Sequence, residues 1–142
     1  PYQMLEDFHE PYTQGNDAGK LVLRLATGIL LLLHGMAKLQ TPEIIASMAP
    51  ALSALQLPPQ TAWFALVGEV IAPILLILGV LTRVAGIIVA LQMLAIVLVA
   101  HTTDITSFLP LGGYALELQA MYMFAGVTIA CLGSGVYALV RD

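Results

Sequence analysis

Four long apolar stretches, each nearly free of charge, leave this chain few folds to adopt. They cover about residues 20–39, 61–81, 84–101 and 114–139. A helix rises about 1.5 Å per residue, so stretches of this length can cross a hydrocarbon layer of about 30 Å. In lipid every backbone polar group needs a partner within the protein, and an α-helix supplies one. The sequence therefore predicts an all-α membrane protein, a bundle of four transmembrane helices.

The composition excludes several other classes of protein. Apolar residues make up 59% of the chain and charged residues 10%, whereas about a quarter of a typical soluble protein is charged. Too few charges remain to cover a soluble domain of 142 residues. A net charge of -4 without a basic run excludes nucleic-acid binding. A single cysteine, Cys131, excludes an intrachain disulfide.

The segments between the apolar stretches complete the predicted architecture. Residues 1–19 are acidic and contain no Lys or Arg, which predicts a polar N-terminal tail before a transmembrane domain of residues 20–142. Thr41-Pro42-Glu43 is typical of a helix start, and Pro58-Pro59 would end that helix. We interpret it as a short interfacial helix, interrupted at Pro50, between spans one and two.

Basic residues are distributed unevenly between the two ends of the predicted bundle. Lys20, Arg83 and Arg141 mark the end that holds both termini, with Arg24 just inside it. Lys38 alone marks the other end. Because basic residues favour the cytoplasmic side, both termini are predicted to be cytoplasmic.

Ionisable residues within the spans are the candidates for function, because charge is costly in hydrocarbon unless it is paired or hydrated. Helical rise places Glu117, His34 and Glu69 at about 5, about 8 and about 12 Å below the outer boundary. Lys38 and His101 lie at the rim of the same half.

Helical phase groups these residues further. His34 and Lys38 share one face of span one, and Glu117 lies on a stripe of span four from which Gln119 points away. Pro73 cannot donate to the carbonyl of Glu69, so a kink and a polar pocket are expected there. The predicted binding residues of one outward-facing cavity are His34, Lys38, Glu69 and Glu117.

Structural alternatives exist for these charges. Glu69 and Glu117 could serve only to neutralise Lys38 and Arg24 in fixed pairs. Arg24 and Arg83, at the terminal side, are interpreted as structural charges.

A haem held by two histidines is the alternative for His34 and His101, which both lie toward the outer side. Single histidines more often only hydrogen-bond. We therefore predict no metal site and no cofactor carried by the chain itself.

An ordered set of motifs points to a family. They are Arg24, HGMAKL at 34–39, LVGE at 66–69, LILGVLTR at 76–83 and GGYALE at 112–117. From about Leu21 to Leu139 the chain resembles the DoxX family of small four-helix membrane proteins. The resemblance implies a prokaryotic inner-membrane protein, in some cases a subunit of a thiosulfate:quinone oxidoreductase and in others a partner in oxidative-stress complexes.

Three functions stay open at this point. The first is a subunit of a redox complex that holds a quinone or small anion and handles protons while a partner supplies electrons. The second is a non-catalytic assembly or scaffold subunit. The third, a small-solute carrier, is disfavoured because four spans lack an inverted repeat. Membrane lipids and other subunits are the expected partners, and a homo-oligomer is compatible with the sequence.

Cysteine labelling checks the predicted orientation. In a Cys131→Ala background, a membrane-impermeant thiol reagent added from outside should label a cysteine at Ser53 and not one at Gly15. Labelling at Gly15 without labelling at Ser53 would show that the orientation is reversed.

Overall fold

The computed structural model describes residues 10–142, with side-chain surroundings from residue 14 onward. This part of the chain is helical throughout, apart from loops and an isolated bridge between Phe108 and Tyr114. The predicted all-α class is confirmed. The elements are α1 (Glu10–Gln40), α2 (Pro42–Ala46), α3 (Ala49–Ala54), α4 (Thr61–Leu78), α5 (Thr82–Ala100), a 3-10 turn (Thr102–Asp104) and α6 (Glu117–Leu132).

Three of these helices are long and apolar enough to cross a membrane. They are residues Gln14–Gln40 of α1, α4 and α5. Helix α6 is also apolar but has 16 residues, a length of about 24 Å. Within residues 10–142 the structure therefore supports three spans by length and composition.

Two predicted boundaries differ from the structure. Helix α1 begins at Glu10 rather than at residue 20. Pro11 lies in its first turn, where no backbone N–H is needed, and the helix continues through Gly15 and Gly19. The rest of the predicted tail, residues 1–9, lies outside the described residues. Helix α6 ends at Leu132 rather than near residue 139, because Gly133 and Gly135 adopt positive φ angles of 79° and 72°.

The segment predicted as one interrupted interfacial helix forms two short helices, α2 and α3. Pro50 lies in the first turn of α3, where a missing backbone N–H costs nothing. Ile45 of α2 and Leu52 of α3 are buried against α4. The two helices thus cover one end of the bundle next to the start of α4.

Glycines set the closest helix crossings. A Cβ on Gly86 of α5 would lie 2.6 Å from the carbonyl oxygen of Gly126 of α6, and a Cβ on Gly126 would lie 2.6 Å from that of Gly86. Gly35 of α1 packs against α4 in the same way: a Cβ on Gly35 would lie 2.5 Å from the carbonyl oxygen of Glu69. Small residues that let backbones approach are typical of helix contacts in membranes.

The described helices place the start of α1 and the C-terminal segment at the same end of the bundle. The backbone N–H of Val136 donates to Asp17 Oδ1 at 3.3 Å. Beyond α6 the chain folds back across this end, where Leu139 and Val140 donate to the carbonyls of Leu78 and Gly79. We call it the basic end, defined by Lys20, Arg24, Arg83 and Arg141. The opposite end, with α2, α3 and residues 101–116, is the cavity end.

Two arginines close the basic end by donating to backbone carbonyls. Arg24 is 1% exposed and donates from Nε to Leu76 and from Nη1 to Ser134 and Tyr137, at 2.8–3.0 Å. Arg83 donates from Nη1 to Ala130 and Cys131 at 2.9 and 2.8 Å. These last carbonyls of α6 have no partner within the helix, so Arg83 satisfies them.

Replacing Arg24 by Leu should destabilise the fold. The substitution removes the donor from three backbone carbonyls, and buried acceptors without partners cost about 1–3 kcal/mol each. We expect a loss of about 3 kcal/mol or more in unfolding free energy in detergent, with lower yield. Arg141→Leu, at the same end but exposed, is the matched control and should change stability little. Normal stability of Arg24→Leu with a selective loss of activity would contradict the structural role.

Candidate binding cavity

A cavity of about 170 Å³ lies at the cavity end, between α1, α4, α5 and α6. A void of about 150 Å³ can hold one benzene-sized ring. Polar side chains from all four helices or their ends reach it, and apolar side chains complete its wall. The polar residues are His34, Lys38, Glu69, His101, Gln119 and Tyr122, and the apolar ones are Leu31, Met93, Ile96 and Leu118.

An ion pair joins two of the predicted residues. Lys38 Nζ donates to Glu69 Oε1 at 2.6 Å. The Glu69 side chain is 3% exposed and that of Lys38 is 23% exposed. Charge-assisted hydrogen bonds of this length are among the stronger ones in proteins. Glu69 is therefore a buried carboxyl group with a basic partner on the neighbouring helix.

Local sequence explains why this carboxylate sits where it does. Gly35 lets α1 approach the backbone of α4 at Glu69, and Lys38 follows one turn later on the same side of α1. Pro73, inside α4, offers no N–H to the Glu69 carbonyl. The close helix contact thus falls at the turn of α4 that carries the charge.

Imidazole and phenol groups flank the ion pair. The rings of His34 and Tyr122 meet edge to face, with centroids 6.1 Å apart and planes at 90°, a favourable aromatic arrangement. At the rim, His101 Nδ1 lies 3.2 Å from Asp104 Oδ2. The cavity therefore combines an ion pair with two imidazole groups and one phenol group.

The structure does not place Glu117, the fourth predicted binding residue, on the wall of this cavity. Glu117 is the first residue of α6, is exposed, and lies beside the Gly113 backbone. Gln119, two residues later and so about 200° around the helix, takes the inward position. The side of α6 that carries Gln119 and Tyr122 faces the cavity, and the side that carries Glu117 faces away from it.

Two cavity residues were therefore missed, Gln119 and Tyr122. They are three residues apart and share one helical face, which was the available signal. Tyr122 is 9% exposed. Arg24 and Arg83 lie at the basic end and do not line the cavity.

Comparison with known proteins places this architecture in a family. The sequence model of the DoxX family matches residues 19–102. The chain belongs to the DoxX family. The matched region includes His34, Lys38, Glu69 and His101, whereas α6 of this DoxX protein lies beyond it.

A relative from Bacillus subtilis (strain 168) carries the name "Putative oxidoreductase CatD". It is 27% identical over 123 residues, which are 87% of this chain and 85% of the relative. No solved structure matches the chain.

The ion pair predicts coupled effects of mutation on stability. Lys38→Met leaves Glu69 buried without its counter-ion, and breaking a buried pair in this way costs about 3 kcal/mol or more. Glu69→Gln alone should also destabilise, whereas the double variant should recover most of the loss. Unfolding free energies of the four proteins in detergent measure this coupling. Additive losses would show that the two side chains do not interact.

Proposed function

We propose that this DoxX-family membrane protein is a subunit of a redox complex, with a cavity that holds a quinone ring beside Lys38 and Glu69. One observation carries the proposal: a buried ion pair opens onto a cavity the size of a single ring, with His34 and Tyr122 on its wall. The similarity to a protein named as an oxidoreductase supports it. Electrons would come from a partner subunit, because the sequence carries no cofactor motif.

The chemistry of the pair suits a neutral ring better than a small anion. Lys38 keeps two N–H groups beyond the one given to Glu69, and these can donate to a ring carbonyl. An anion at the same place would face the Glu69 carboxylate. Glu69 and His34 would accept and pass on the protons that quinone chemistry consumes or releases.

We also propose that α6 is the fourth span, with both termini in the cytoplasm of a prokaryotic inner (cell) membrane. The hydrogen bond between Val136 and Asp17 supports an even number of crossings, since it joins the chain after α6 to α1 near its start. Lys20, Arg83 and Arg141 lie at that end, as expected for a cytoplasmic face.

Activity of the native complex tests the quinone site. We expect Lys38→Met and Glu69→Gln each to lower quinone-linked electron transfer at least about tenfold, the effect of one charged hydrogen bond. Variants that still assemble with the partner subunits are compared. The matched controls are Lys20→Met at the basic end and Glu43→Gln, an exposed acid at the cavity end, and both should retain activity.

The same variants separate this proposal from a scaffold subunit. If the double variant Lys38→Met/Glu69→Gln assembles and transfers electrons normally, the ion pair is only structural and the protein is an assembly subunit. A complex without any redox activity, isolated from native membranes in mild detergent, would favour the same conclusion.

A further inference from the structure

The cavity contains buried acceptor atoms that the described part of the chain leaves without hydrogen bonds. Glu69 Oε2 has no partner there, although Oε1 of the same carboxylate is bound to Lys38. Gln119 Oε1, on α6, also has none. A buried polar atom without a partner is costly, so these atoms indicate what a ligand supplies.

The Glu69 carboxylate determines which partner must be the donor in the missing hydrogen bond. A side-chain amide can present either an acceptor or a donor, so Gln119 alone does not discriminate between ligands. A carboxylate that is paired with an ammonium group only accepts hydrogen bonds, and Glu69 is paired with Lys38 in this way. A group placed against Glu69 Oε2 must therefore carry an O–H or N–H.

An apolar groove of about 270 Å³ adjoins the cavity. It lies between α5 and α6, and its wall includes Val97, Leu116, Ala120 and Met123. Met93 and Gln119 line both spaces. A second apolar groove, between α4 and α5, shares only Ile96 with the cavity. Its amide, Gln92, donates to the carbonyl of Ala65, while its Oε1 packs against Gly68 and has no hydrogen-bond partner within residues 14–142.

We propose that the cavity binds a neutral amphiphile whose ring carries hydroxyl groups and whose apolar chain lies in the α5–α6 groove. One hydroxyl donates to Glu69 Oε2, and a second reaches Gln119 Oε1. This inference rests on the proposed function and makes it more specific, because it assigns tighter binding to the hydroxyl form of a quinone, the quinol, than to the oxidised form. It also assigns the chain to one of two grooves.

The test uses the full chain in lipid nanodiscs without oxygen and three probes. They are decylubiquinol, decylubiquinone and the same quinol ring without the decyl chain. A ligand that binds the folded state raises the unfolding midpoint with concentration, which yields an apparent Kd. We expect decylubiquinol to bind at least about tenfold more tightly than decylubiquinone, the size expected for one hydrogen bond to a charged group.

Two matched substitutions test the groove. Ala120→Phe fills the α5–α6 groove and should weaken decylubiquinol at least about fivefold while leaving the chainless ring unchanged. Ala95→Phe fills the other groove and should change neither. If Ala120→Phe lowers the yield, Leu98→Trp at the exposed rim of the α5–α6 groove replaces it.

The outcomes distinguish failure of this inference from failure of the proposed function on which it rests. Equal affinity for quinol and quinone, with both lost in Lys38→Met, would overturn the assignment of a hydroxyl donor and leave the quinone site standing. Weakening by Ala95→Phe instead of Ala120→Phe would overturn the assigned groove. If neither oxidation state binds, the inference and the proposed function both fail.

Discussion

Charge that enters the hydrocarbon layer must find its partners inside the protein, and the architecture of this chain depends on that constraint. Arg24 meets it with backbone carbonyls, and Glu69 meets it with Lys38. At each of these two charges, a nearby glycine or helix end allows the hydrogen-bond partner to come within bonding distance. The buried charges thus join α1 to α4 and to the segment after α6.

The two ends of the bundle satisfy this constraint in different ways. At the basic end the guanidinium groups of Arg24 and Arg83 donate to carbonyls of α4, α6 and the C-terminal segment. At the cavity end one carboxylate oxygen of Glu69 is left without a partner among residues 14–142. The candidate site is thus built on a carboxylate whose ion pair satisfies only one of its two oxygens.

The apolar runs were enough to predict the long helices, and depth along the helix was enough to place His34, Lys38 and Glu69 in one half of the bundle. The side of α6 that faces inward was not predictable in the same way. That helix is apolar around its whole circumference, so no stripe distinguishes Glu117 from Gln119 until packing against α5 at Gly126 sets the rotation. The end of α6 at Leu132 depends on the φ angles of two glycines. The apolar run in the sequence continues to Val140, so it does not indicate this end.

The ionisation of Glu69 in the membrane tests the account most directly. Infrared difference spectra of the protein in lipid, comparing the wild-type chain with Glu69→Gln at neutral pH, report the protonation state of this one side chain. The account predicts a carboxylate band that disappears in Glu69→Gln and that is replaced in Lys38→Met by the carbonyl band of a protonated acid. A protonated Glu69 in the wild-type protein would contradict the ion pair, and with it the ligand site built around that pair.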